Sequence, residues 1–293
     1  MKKKLKLLVF CAVFILFLQV CNYLYIPTPF FYNEEKNSYN VLYFGSSYSY
    51  CTFNPSIIDD EEIHSYNLAS PMQTIPMTYY VMRDALKYQN SDIVVVETSY
   101  FIHDIPYPEL GVLASTVDKM RLSRDKIELI INNSPWKQWL ELLIPISRLH
   151  SEPKQIRDFA DQKEKDATRG YAAFEGVVPI ERPSDEIIYD ETIANIPAKN
   201  LKYLNKMIDL ANKKGIQLLF VKAPMPIEDK RILNQVELIA EENDIPYIDY
   251  TELYEEIGLD FTTDILDGNH LNVNGGTKVS THLKNVLKEY LEE

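Results

Sequence analysis

The chain has 293 residues, 46% of them apolar, which suits one large α/β domain with additions. A net charge of −13 argues against nucleic acid as a partner, because such binding needs a basic footprint. Three cysteines, two of them in an N-terminal apolar run, exclude a disulfide framework within the folded part.

Met1-Lys-Lys-Lys-Leu-Lys6 is positive, and Leu7 to Ile26 then carries no charge. Such a run is long enough to span a bilayer. Lysines ahead of it predict a cytoplasmic N-terminus with the remainder outside. A cleaved signal peptide is the rival reading, but no small-x-small site follows, and the run is long for a signal. Leu18-Gln-Val-Cys21 has the outline of a lipoprotein site, with Val20 a poor residue before the cysteine. The expected organisation is a membrane anchor over 1–27, a linker over 28–38 and a domain over 39–293. A helical insertion is expected at about 102–195.

Tyr39-Asn-Val-Leu-Tyr-Phe44 reads as a short strand that ends abruptly in Gly45-Ser46-Ser47. A helical segment follows from Tyr48 to about Asp60, divided near Asn54-Pro55-Ser56. In open α/β sheets, chemistry sits at the carboxyl ends of strands. A serine on a strand-to-helix turn meets the N–H groups of a helix start, which can hold an oxyanion. The alternative is an ordinary turn with two small polar residues. Cys51 lies four residues beyond Ser47 on the same helix face, as a rival nucleophile or as small core packing. His64 to Leu68 predicts a second strand. Thr74 to Gln89 predicts a helix with Met77, Tyr80, Val81 and Leu86 on one side. Asp92-Ile-Val-Val-Val-Glu97 is the unbroken β-branched run of a buried parallel strand.

Two amphipathic helices are expected next, at about Leu113 to Asn132 and Pro135 to Ser147, before a polar stretch from Ser151 to Arg169. An insertion after the third strand would overhang the crevice as a lid or platform. Arg148 and His150 are candidate substrate contacts, or a solvated helix end. Trp136 and Trp139 are a stacking platform for sugar or a core face. A helix from Ala198 to Lys214 closed by Gly215, a strand from Ile216 to Lys222, a helix from Ile227 to Asn243 and a strand from Pro246 to Asp249 resume the rhythm. From about Gly276 a closing helix carries Val279, Leu283, Val286, Leu287 and Leu291 as its apolar stripe. Five strands with helical crossovers predict a three-layer, flavodoxin-like α/β domain with about five parallel strands. With no P-loop, dinucleotide fingerprint or metal-ligand cluster in the sequence, no cofactor and no metal is expected.

Asp267-Gly-Asn-His270 precedes the closing helix. Histidine is the usual base for a serine nucleophile, and a carboxylate fixes its tautomer. Asp267, three residues before His270, can do this within one turn. The alternative is a polar loop capping the last helix. Taken with Gly45-Ser46-Ser47, the motif resembles the SGNH/GDSL hydrolase family. There the nucleophile is the third residue of a Gly-Asp-Ser-type motif, and an Asp-x-x-His motif near the C-terminus completes a triad. The resemblance covers about residues 38 to 291, with a poorly matching middle, and aligns Ser47 with the nucleophile, His270 with the base and Asp267 with its orienting carboxylate. The family's oxyanion glycine falls near Ser70 or Met72, and its oxyanion asparagine has no counterpart in Glu97-Thr-Ser-Tyr-Phe101. That leaves the backbone, or Gln73, Thr98 or Ser99, to fill the hole.

Similar departures occur among membrane-anchored cell-surface members, including relatives of the D-alanine-transfer protein of teichoic-acid synthesis. The resemblance implies an extracytoplasmic serine esterase or O-acyltransferase acting on acylated cell-surface glycan, with a membrane-bound O-acyltransferase as a possible partner. The alternative is a non-catalytic partner of such an acyltransferase, binding glycan or an acyl carrier in the same crevice. A purely structural envelope protein would leave the two loop motifs unexplained.

Overall fold

The architecture follows from strands whose alternate residues are apolar on both sides, which only a sheet covered on both faces accommodates. In the computed structural model, which describes residues 2–25, 30–149, 167–179, 196–224, 230–268 and 270–292, β1 (Val41–Phe44), β2 (Ser65–Asn67), β3 (Ile93–Glu97), β4 (Gln217–Lys222) and β5 (Tyr247–Asp249) form one all-parallel sheet in the order β2-β1-β3-β4-β5. The side-chain period of two divides the core. Leu42, Phe44, Val94, Val96, Leu218 and Phe220 face one layer. Val41, Tyr43, Ile93, Val95, Leu219 and Val221 face the other.

Short α2 (Ser47–Thr52) and α3 (Pro55–Ile58) lie on the second face. Asn54 separates them by capping α3, its side chain accepting from the Ser56 N–H at 3.0 Å. Helix α4 (Ile75–Ala85) returns the chain across β1 to β3 on the first face. The strand order therefore reverses between β1 and β3, the switch point at whose carboxyl ends open α/β sheets form their ligand crevice. Gly45 and Glu97 mark that point.

After β3 come α5 (Leu110–Val117) and α6 (Arg124–Asn133), where the sequence predicts one helix. The break has a local cause: Ser123 caps α6, its hydroxyl accepting from the Lys126 N–H at 3.1 Å. The second expected helix divides into a 3₁₀ turn (Trp136–Gln138), α7 (Trp139–Leu143) and α8 (Pro145–Leu149). Pro145 cannot donate to a preceding turn, so it opens a new helix instead of extending α7. Arg148 lies in α8. His150, and most of the polar stretch that follows, fall outside the described residues.

Helix α9 (Ala198–Lys214) ends at Gly215, whose φ of +66° is a left-handed cap. Then come β4, α10 (Lys230–Glu242), β5 and α11 (Val273–Glu292). Helix α11 begins earlier than its apolar stripe suggests because Asn272 caps it, Oδ1 accepting from the N–H groups of Asn274 (3.0 Å) and Gly275 (3.2 Å).

The N-terminal segment forms α1 (Lys2–Tyr25), and Lys3–Asn22 within it is long and apolar enough to cross a membrane. The expected linker is partly built into the domain. Phe30–Tyr32 form a 3₁₀ turn, and Phe31 is 1% exposed, its ring 5.0 Å from that of Tyr66 and 6.1 Å from that of Tyr39. The Tyr32 hydroxyl donates to Asp84 Oδ2 at 2.6 Å. The foot of α1 also meets the insertion: Asn22 Oδ1 accepts from the Ile146 N–H of α8 at 3.3 Å.

Candidate active site

β1 ends at Phe44, and Gly45 turns the chain into α2 with φ +137°. A Cβ there would stand 2.7 Å from Glu97 Cβ, so only glycine lets the turn close over β3. Ser46 is the N-cap of α2. Its Oγ accepts from the Tyr48 N–H at 3.3 Å and donates to Glu97 Oε2 at 3.2 Å. The next residue, Ser47, opens α2, so its N–H has no acceptor within the helix.

Across the crevice, Ile265 and Leu271 pair antiparallel around a tight loop. The Leu266 N–H donates to the His270 carbonyl at 2.8 Å, and the His270 N–H to Asp267 Oδ1 at 2.9 Å. The same carboxylate meets the ring: both Asp267 oxygens lie 3.0 Å from His270 Nδ1. With Nδ1–H donating to Asp267, Nε2 is left as the acceptor for Ser47 Oγ, 2.8 Å away. Ser47, His270 and Asp267 thus form one hydrogen-bonded row across 223 residues of sequence. The His270 side chain is 25% exposed and that of Asp267 50%, so the row opens to solvent.

Aromatic rings flank it. Tyr48 stacks on the His270 ring at 5.2 Å, and Tyr100 stands 6.4 Å from Tyr48 and 4.7 Å from His103. On the other side Tyr50 lies 6.5 Å from Phe174. Burial, with the charges of Glu97, Tyr100 and Asp267, pushes the Tyr48 hydroxyl up to about 12, so it stays a neutral donor at physiological pH. Burial also raises the Cys51 thiol, which is 1% exposed. A buried neutral thiol is a poor nucleophile, which makes Cys51 core packing.

Several candidates from the sequence are tied to the fold. The Ser70 N–H donates to the Gly45 carbonyl at 3.2 Å, and its hydroxyl pairs with that of Thr116. Gln73 Oε1 accepts from the Gly45 N–H (3.3 Å) and Thr78 Oγ1 (3.0 Å), while Nε2 donates to the Leu68 carbonyl and Ser70 Oγ, both at 3.1 Å. Ser99 gives both its N–H and its hydroxyl to Glu97 Oε1. Thr98 is buried, its N–H donating to the Val221 carbonyl at 3.0 Å. Arg148 pairs with Asp118 and donates to the Glu141 carbonyl, so its guanidinium braces the insertion.

Met72 is different. The Gln73 N–H closes a turn onto the Ser70 carbonyl at 3.2 Å, with Pro71 second and Met72 third at φ +48°. A positive φ at that position is what glycine ordinarily supplies. Met72 therefore adopts a backbone conformation that glycine ordinarily supplies, and its side chain is exposed.

Sequence reasoning missed two features. One is Glu97, fully buried under the serine turn, where burial raises its carboxyl while bonds from Ser99, Ser46 and the Ala223 N–H oppose the shift. A lone carboxylate ending an apolar strand was the available signal. The other is residues 167–179, which bind three parts of the site together. Arg169 O accepts from the Asn67 N–H, the Ala172 N–H donates to Tyr50 O (2.9 Å), Phe174 O accepts from the Val273 N–H (2.9 Å), and the Val178 N–H donates to Ile265 O (3.1 Å). Gly170, φ +84°, is required there, since a Cβ would fall 1.9 Å from the Asn67 carbonyl oxygen. Among the described residues no cluster of His, Cys, Asp and Glu converges to hold a metal.

No protein-family model matches the chain, and no curated protein matches its sequence significantly.

Proposed function

We propose that the protein is a membrane-anchored serine esterase or O-acyltransferase working outside the cytoplasm on acyl groups of cell-surface glycan. The observation that carries this reading is the row Ser47 Oγ–His270 Nε2 (2.8 Å) and His270 Nδ1–Asp267 (3.0 Å) at the carboxyl end of a parallel sheet. In this scheme His270 Nε2 takes the Ser47 proton as Oγ attacks the acyl carbonyl. Asp267 holds the imidazolium. The tetrahedral oxyanion rests on backbone N–H groups, those of Ser47 and the Met72 turn, because Gln73 and Ser99 are committed elsewhere. Collapse expels the alcohol, which takes its proton from His270 and leaves an ester on Ser47. Water then yields hydrolysis, or a second hydroxyl yields transfer. Helix α1 serves as the anchor, with the N-terminal lysines on the cytoplasmic side.

The commitment of Gln73 and Ser99 favours a second reading, in which the protein is a non-catalytic partner of a membrane-bound O-acyltransferase and binds glycan or an acyl carrier in the same crevice without turning it over. One experiment separates them. The full chain in detergent is treated with an alkyl fluorophosphonate probe. Labelling that survives Ser46→Ala and disappears in Ser47→Ala supports the enzyme. Absence of labelling in a folded wild type supports the binding protein.

A further inference from the structure

Helix α1 has 24 residues, about 36 Å at ~1.5 Å per residue, slightly more than a hydrocarbon core of ~30 Å. Its last turn therefore lies in the headgroup boundary if the helix spans. That turn is in contact with the domain. Asn22 Oδ1 accepts from the Ile146 N–H of α8 at 3.3 Å, and Leu18, Gln19, Cys21 and Asn22 are half-covered while residues 3–17 are exposed. Whatever depth Asn22 has, α8 shares it. Only Ile144 separates α8 from α7, so the preceding 3₁₀ turn and α7 lie close to the same level.

Those elements carry uncovered apolar side chains. Trp136 is 71% exposed, Leu140 46% and, at the end of α6, Ile131 46%. Lys137 is exposed beside Trp136. Trp139, three residues on, instead packs inward and donates its indole N–H to the Ser134 carbonyl at 3.3 Å. An exposed tryptophan with an adjacent cation matches the side chains that settle at bilayer interfaces, where the ring is half-wet and the cation meets anionic headgroups.

We infer that Ile131, Trp136 and Leu140 form a second membrane contact, seating the insertion in the headgroup–acyl boundary of the bilayer that holds α1. This rests on the anchor reading above. The foot of α1 and the insertion together then set the height and tilt of Ser47 over the membrane, in place of a flexible tether.

The test uses the full chain in nanodiscs made with lipids brominated high on the acyl chain or with unbrominated lipids. The sequence has two tryptophans, so the exposed-site variant Trp136→Phe isolates the signal of Trp136 without disturbing the core. Roughly twofold stronger quenching by brominated lipid in the wild type than in W136F is expected. Equal quenching in the two overturns the inference. Alkaline extraction of native membranes is run in parallel. Protein that stays in the pellet while Trp136 is unquenched retains the anchor and loses only the second contact. Protein released by alkali sinks both.

Discussion

Gly45 and Glu97 are so close that a single added methyl at Gly45 would lie 2.7 Å from the Glu97 Cβ. The serine turn is thus fitted over the end of β3, and it also carries φ +137°. Gly45→Ala combines a clash with a conformation worth about 1–3 kcal/mol of strain. A loss of at least ~2 kcal/mol in urea unfolding is expected, along with loss of probe labelling at Ser47. Wild-type stability in G45A would show that the turn relaxes freely.

Glu97 supports the same turn from below. Its two oxygens accept from Ser46, Ser99 and the Ala223 N–H. In Glu97→Gln one oxygen becomes an NH₂ that faces donors, so Ser46 or Ser99 loses an acceptor in a buried site. A cost of about 1–3 kcal/mol is expected. The pH dependence separates charge from shape. The folded carboxyl is raised above its unfolded range, so its contribution is greatest below about pH 4.3 and declines as pH rises through the folded value. Wild-type stability relative to E97Q should therefore fall between acid and neutral pH. A difference that is flat or rises with pH contradicts the assigned shift.

If Asp267 fixes the His270 tautomer, Asp267→Asn lowers turnover of an activated ester by about 10²–10⁴. The fold should tolerate it, because the Asp267 side chain is half-exposed and an amide oxygen can still accept from the His270 N–H. His270→Ala should be at least as damaging. A D267N enzyme of wild-type rate, with unchanged unfolding, would remove Asp267 from the mechanism.

Lys126 offers a test of the insertion. It is 5% exposed, donates to the Met120 carbonyl at 3.3 Å, and is pushed down to about 8 chiefly by burial, with the Asp118 charge opposing. Between that value and the unfolded value the unfolded chain binds more protons, so stability rises with pH. The slope is at most ~1.4 kcal/mol per pH unit. Lys126→Met should be more stable than the wild type below pH 8 and should lack this rise between about pH 8 and 10. Parallel curves for the two proteins would contradict the shift.

The sequence by itself determined the elements with a strong local signature. The β-branched run Ile93–Glu97 and the helix Ala198–Lys214 with its Gly215 cap have the bounds, within a residue, that their composition predicts. The spacing of Asp267 and His270 already confined carboxylate and imidazole to one turn, and α1 is legible as a charge-free run preceded by lysines. Local periodicity reports which side chains avoid water, and short spacings report which groups can meet. Neither reports what a polar group meets at long range.

The tertiary structure alone decided that Ser47 lies 2.8 Å from His270, while Gln73, Ser99 and Arg148 satisfy other buried groups. It also set Glu97 beneath the serine turn and brought Phe31, in the supposed linker, into the core. A buried donor or acceptor must be paired. Which of several similar polar side chains stays free for a substrate is therefore settled only when the fold has matched all the others.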